Sequence, residues 1–295
     1  MEDQGAQVIF VDGQEIPLIM QKSDGGFGYA STDMAALRHR ITEEKADWIV
    51  YVTDVGQSVH FQQVFGAARK AGILKPREEG GPRVDHVGFG LVLGEDGKRL
   101  RTRSGDIVRL VELLDEAVDR CRAQLVEREV DFSEAELEEA AKAMGYGAVK
   151  YADLKNNRLT DYKFAFDQML DLKGNTAVYL LYSHARIASI IRKSGKDVHE
   201  LAKTTKVQLA EQKEKDLALH LSRFPEFVVE MLNDLCPNRI CEFLYETSVK
   251  YNEFYNVCQV IGSEHEDSRL VLCEATAMMM RTAFDLLGIK PLYRI

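Results

Sequence analysis

At 295 residues, 45% hydrophobic, 29% charged and with only six prolines, the chain can bury an ordinary core, and it has the length of two domains rather than one. Its net charge of -9 argues against a wholesale nucleic-acid coat, so any polyanion has to be met by local patches. A basic-then-apolar leader, an apolar run near ~18 residues and a C-x-x-C are all missing, which argues against a signal peptide, a membrane span and a zinc site, and the five scattered cysteines read as reduced, intracellular and mostly buried in helices.

The sequence enters strand-like alternation at once. "AQVIFV" and "IPLIMQK" flank "DGQE" in a hairpin-like pattern. "TDMAALRHRITEEK" then spaces Met34, Leu37 and Ile41 along one helical face, with Thr32 placed as N-cap. "DWIVYVT" predicts a short buried strand, and "SVHFQQVFGAARKAG" a helix opening at Ser58 and closing at Gly72. "HVGFGLVLG" returns to strand before the turn "EDG". Strand and helix alternating with short connections predict a parallel, doubly wound α/β sheet.

From about Asp106 the pattern is nearly all helix. "VRLVELLDEAVDRCRAQLVERE" carries an amphipathic stripe, and Ser133 with Glu136 forms a capping box ahead of the next helix. Further helices are predicted over roughly 175–194, 200–221, 224–235, 238–258 and 268–287, giving a helical bundle. The stretch 150–164, "KYADLKNNRLTDYKF", is polar and reads as irregular, and the domain boundary is placed inside it, between 1–155 and 156–295.

Three features carry possible chemistry. Lys98, Arg99, Arg101 and Arg103 crowd a glycine-flanked loop behind a strand, which suits either a solvated turn or a loop that closes on phosphate. "SDGGFGYASTD" either makes a turn or lets backbone approach a ligand; Tyr29 and Asp33 behind it share a helical face, where Asp33 suits a guanidinium or simply the helix dipole. Tyr179, Tyr182 and Arg186 form one stripe in "NTAVYLLYSHARI"; core packing is the plain explanation, and with His184 and Arg192 the stripe also suits stacking on unpaired bases. No G-x-x-x-x-G-K-[ST], H-E-x-x-H or G-x-S-x-G is present. The residues alone reach a nucleotide-handling α/β domain joined to a helical, RNA-facing one.

Taken together, "KSDGGFGYASTDMAA", "EEKADWIVYVTDVGQSVHF", "HVGFGLVLGEDGKRLRTRSG", the long run from Val149 to Ile187 and the tail "LLGIKPLYRI" resemble the arginyl-tRNA synthetases of the eukaryotic cytosolic type, in the family's order and through essentially the whole chain. The resemblance implies the second half of a class I, Rossmann-type catalytic domain followed by a helical-bundle anticodon-binding domain of the DALR type. It implies cytoplasmic, ATP-dependent arginine–tRNA ligation with L-arginine, ATP (as its Mg2+ complex) and tRNA(Arg) as partners, with a multi-synthetase assembly as a further one and neither a membrane nor a protein-bound metal. The basic loop then matches a divergent KMSKS signature: Lys98, Arg101 and Arg103 are all candidates for stabilising the ATP phosphates, with Thr102 and Ser104 beside them. Tyr29, Asp33 and Gln57 fall on the arginine pocket, His86, Gly88 and Phe89 on the adenosine site, and Tyr179, Tyr182 and Arg186 on the helix that meets the anticodon loop.

The chain also departs from the family. It has no HIGH signature, and Met1 falls partway through the catalytic domain, so the expectation is a carboxy-terminal portion, incomplete as a ligase alone. Two further readings stand beside it: a non-catalytic tRNA-binding or assembly module, and a partial gene model whose product has an upstream half.

Overall fold

The computed structural model describes residues 1–94, 96–98 and 109–295, and these divide into two compact units, Met1–Leu91 and Val92–Ile295. The first opens with three short antiparallel strands in chain order, β1 (Glu2–Asp3), β2 (Ala6–Ile9) and β3 (Leu18–Gln21). The expected hairpin is β2–β3. A second, unforeseen one joins β1 to β2 through Gln4 and Gly5, whose φ values of 45° and 77° make the left-handed two-residue turn that suits a tight hairpin. Helix α1 (Tyr29–Thr42) begins before Thr32: Gly28 is its N-cap, and the Thr32 hydroxyl donates back to the Tyr29 carbonyl at 2.9 Å.

β4 (Trp48–Asp54), α2 (Ser58–Lys70) and β5 (Arg83–Phe89) form a βαβ unit, the two strands parallel in register from Trp48 opposite Arg83 to Asp54 opposite Phe89. Parallel strands need a crossover, and α2 supplies it. Ile49 is buried and Tyr51 packs on Phe61 and Phe65, with ring centroids at 4.7 and 5.6 Å. Trp48, Val50 and Val52 alternate to the other face and stay exposed. Among the described residues the strand is packed on one face only, whereas its apolar composition suggested a buried strand.

In the second unit, β6 (Val92–Leu93) pairs in parallel with β7 (Tyr162–Lys163). The expected turn follows β6, with Gly97 at φ 74° and the Gly94 N–H donating to the Lys98 carbonyl at 2.7 Å. α3 (Leu110–Glu127) and α4 (Glu134–Leu154) lie in close approach at Gly145, where a Cβ would stand 2.7 Å from the Val118 nitrogen. The capping box forms as expected: the Glu136 N–H donates to Ser133 Oγ at 3.3 Å, and the Ser133 N–H to Glu136 Oε2 at 2.8 Å. α4 runs to Leu154, so the first part of the polar stretch 150–164 is helical rather than irregular.

α5 (Phe166–Met169), α6 (Ala177–Ser194), α7 (Val198–Thr204), α8 (Gln212–Ser222), α9 (Phe224–Asp234), α10 (Asn238–Val257) and α11 (Glu266–Leu286) complete the bundle. The helix expected over 200–221 is two, α7 and α8. Between them Ser268 holds the chain out of helix: its Oγ accepts from the Gln208 N–H at 2.8 Å and donates to the Gln208 carbonyl at 2.9 Å. Tyr151, Phe243, Tyr251, Phe254 and Phe284 are fully buried in one continuous core, and all five cysteines are buried and free. The architecture is α/β followed by all-α.

Candidate functional site

The loop from β3 to α1 closes on itself before it reaches the helix. The Lys22 N–H donates to the Gly26 carbonyl and the Gly26 N–H to Asp24 Oδ1, both at 2.8 Å, with Gly25 at φ 82°. These glycines therefore build a turn, the plainer of the two readings of "SDGGFG". The turn releases Tyr29 at the first helical position, 86% exposed. One turn on, half-buried Asp33 meets a residue that periodicity could not supply: its Oδ2 lies 2.6 Å from His60 Nε2, on the first turn of α2. An ionised carboxylate only accepts, so Nε2 carries the proton.

Tyr29, Thr32 and His60 line a cavity of about 670 Å³ together with Pro17, Ile19 and Lys22. Gln57, the residue before α2, is exposed and does not line this cavity. Asp33 also makes itself felt at Tyr51, whose phenol is raised, first by burial and further by that carboxylate, while Arg40 opposes through a 2.9 Å hydrogen bond. His60 escaped sequence reasoning; the signal on offer was its i,i+3 spacing from Gln57.

The other candidates are more dispersed. His86 is half-buried, bonded at 2.8 Å to Thr53 Oγ1 and stacked on Phe61 at 4.8 Å. Gly88 lies tight on β4's end, where a Cβ would come within 2.9 Å of Val55 Cα, and Phe89 is exposed at the strand's last position. Lys98 is exposed; Arg101, Thr102, Arg103 and Ser104 lie outside the described residues. Among the described residues no cluster of three His, Cys, Asp or Glu side chains is placed to hold a metal ion.

In the second unit the stripe on α6 is real and partly committed to packing. Asn252 Nδ2 donates to Tyr179 Oη at 2.6 Å while its Oδ1 accepts from Arg186 at 3.2 Å, so one amide ties the two together. Tyr182 is half-buried under the Arg128 guanidinium, 4.7 Å from the ring centroid. Arg186 and Arg192 are exposed, but His184 is fully buried: Nδ1 donates to the Leu292 carbonyl at 2.7 Å, and burial lowers its pKa. His184 belongs to the core and cannot stack on a base.

A parallel βαβ unit followed along the chain by a helical bundle defines an α/β domain joined to a helical one. The family model described as the catalytic domain of class I (R) tRNA synthetases matches residues 1–166, and the DALR anticodon-binding domain matches 180–295. The chain belongs to the arginyl-tRNA synthetase family. It is 62% identical to the chloroplastic/mitochondrial arginine–tRNA ligase of Arabidopsis thaliana and 60% identical to the cytoplasmic one, covering all of this chain but 46% and 50% of theirs. The arginyl-tRNA synthetase structures from Plasmodium falciparum and Thermus thermophilus superpose with TM-scores of 0.89 and 0.86 at 34% and 25% identity, over all of this chain and 50% and 55% of those. The chain thus spans about half the length of the curated relatives it matches.

Proposed function

We propose that the chain carries arginine–tRNA ligase chemistry in cytoplasmic translation: ATP-dependent activation of L-arginine, then transfer to the 3′ end of tRNA(Arg). The observation that supports this most is the placement of Asp33 one helical turn from exposed Tyr29, bonded to a cavity-lining histidine, within the segment the catalytic family model matches. A fixed carboxylate beside a phenol is suited to a guanidinium. Tyr29, Asp33 and Gln57 take the arginine; His86, Gly88 and Phe89 meet adenosine, largely through backbone. Lys98, Arg101 and Arg103, with Thr102 and Ser104, meet the phosphates of ATP, which brings its own Mg2+. Tyr179, Tyr182 and Arg186 face the anticodon loop from the helical domain, taken as 156–295, with 1–155 as the catalytic portion.

The test is arginylation by the purified chain with ATP, labelled arginine and tRNA(Arg). Charging above background supports the ligase reading, and alanine at the essential one of Lys98, Arg101 and Arg103 then lowers kcat by about a hundredfold. No charging with tRNA binding retained supports a second reading, a non-catalytic tRNA-binding or assembly module. That reading draws on the match of residues 180–295 to the DALR anticodon-binding domain. A multi-synthetase assembly is the natural partner for such a module.

A further inference from the structure

Asp33 has two carboxylate oxygens, and they are not equivalent. Oδ2 is engaged at 2.6 Å by His60 Nε2, while Oδ1 has no hydrogen bond or ion pair among the described residues. Both side chains are about a third exposed, at 32% and 27%, so the contact is not in the core; His60 lines the cavity and Asp33 stands behind it, bonded to it but not itself lining the cavity. His60 is held in turn by α2: it sits on the helix's first turn, its ring edge-on to buried Phe61 at 5.3 Å.

We propose that His60 is a positioning residue for arginine recognition, holding Asp33 through Oδ2 so that Oδ1 remains the acceptor for the guanidinium. This rests on reading Asp33 as the group that takes the guanidinium. A carboxylate on a helix's first turns is otherwise free to rotate, and fixing it before the ligand arrives removes that cost from binding. The identity of the partner matters as much as its position. A lysine or arginine at 60 could hold the carboxylate equally well, but its permanent charge would neutralise Asp33 and repel the ligand. An imidazole donates one N–H to one carboxylate oxygen without the permanent charge of those side chains. The contact is therefore expected to set preference for a cationic side chain over a neutral isostere such as citrulline.

The test is equilibrium dialysis of labelled arginine and of citrulline against the full chain and its D33N, H60L and H60Q variants, with the melting temperature of each. D33N checks the underlying reading: arginine binding collapses toward the citrulline level if Asp33 takes the guanidinium. H60L, which removes the donor, is then expected to weaken arginine about tenfold while leaving citrulline binding and melting temperature unchanged. H60Q, whose amide N–H can reach the same oxygen, is expected to stay within about threefold of wild type. A D33N loss with no H60L loss overturns the proposal alone, as does an H60L variant that melts lower and loses both ligands equally. An unaffected D33N, or a chain that binds no arginine, overturns the reading of the pocket and the proposal with it.

Discussion

Glu214 and Arg269, 1% and 9% exposed, meet at 2.7 Å between α8 and α11, and both carboxylate oxygens of Glu214 are engaged. The Arg269 guanidinium also donates to the Gln259 carbonyl at 2.7 Å, and the Glu214 carboxylate also receives the Glu211 N–H at 2.8 Å. Asp33 and His60 in Met1–Leu91 meet as closely, yet keep about a third of their surface and one carboxylate oxygen with no partner among the described residues. The apolar residues run the opposite way. The helical unit buries Tyr151, Phe243, Tyr251, Phe254 and Phe284 in one core, while the βαβ unit has Trp48, Val50, Val52 and Phe89 exposed along its two strands. A buried charge pair with both carboxylate oxygens engaged is a structural element; a part-exposed one with an oxygen to spare has room for a further donor. The distinction is made by counting what each oxygen still lacks, since contact distance alone does not separate the two.

The sharpest way to break the contrast is Arg269→Met. It strands a buried carboxylate, and the expected loss is about 3–5 kcal/mol by denaturant unfolding. Adding Glu214→Leu to the same chain should recover most of that loss, because two apolar groups leave nothing unpaired. Burial by itself would raise the Glu214 carboxyl; Arg269 and the N–H groups of Glu211 and Ala210 outweigh it and hold the carboxyl below its usual range. A depressed carboxyl stabilises the fold above its unfolded pKa of about 4.3 and loses that contribution as pH falls through the folded value. Wild type and the double variant should therefore converge in stability in strong acid.

Gly145→Ala comes next. Its methyl would press on Val118 backbone in α3, which cannot swing aside like a side chain, so a cost of about 1–3 kcal/mol is expected despite alanine's better helix propensity. A variant as stable as wild type would mean that α3 and α4 separate freely.

A third consequence is a pH dependence located in the helical unit. His184 and His220 are both buried, and burial lowers both pKa values, for His220 against the opposing pull of the Phe243 carbonyl and Glu246. A depressed histidine contributes stability that is complete above the unfolded value near 6.5 and is lost as pH falls through the folded value. The melting temperature should thus begin to fall as pH drops below about 6.5, above the range where most carboxylates titrate, and His220→Gln should flatten the slope. A flat wild-type profile over that window would sink the account.

How far the molecule was legible follows the range of the interaction. The Ser133 capping box and the start of α2 at Ser58 depend on neighbours within a turn, and both stand where the spacing put them. Thr32 lost the capping position because α1 begins earlier at Gly28, with Ser31 donating to the Met20 carbonyl of β3, a contact across a sheet edge. The break between α7 and α8 depends on Ser268, sixty residues away from Gln208, which no local pattern encodes. The site divides the same way. Tyr29 and Asp33 are related by helical spacing, but Asp33 and His60 are joined only once α1 and α2 pack together.

Arg158 sharpens the comparison at smaller scale. Its Nε donates to the Leu235 carbonyl at 3.0 Å and its Nη2 to the Asp234 carbonyl at 3.2 Å, so a guanidinium fork closes the end of α9, where Leu235 turns left-handed at φ 54°. Lysine has the charge without the fork, and Arg158→Lys should cost about 1 kcal/mol in unfolding of the helical unit.

The smallest expected change in stability belongs to the open face of β4. Parallel strands are ordinarily covered on both sides, yet Val50 and Val52 are 43% and 64% exposed beside Phe89 at 45%. Apolar side chains left on a sheet face attract other sheets, so the chain is expected to self-associate through this surface. Val52→Thr keeps the β-branched shape that suits a strand and removes the apolar tip, so folding should shift by no more than about 0.5 kcal/mol. Self-association, followed by sedimentation velocity across a concentration series, should weaken clearly. If it persists unchanged while the equally conservative Val229→Thr on exposed α9 relieves it, the sticky surface belongs to the helical unit, and the contrast between an open sheet and a sealed bundle would have to be reversed.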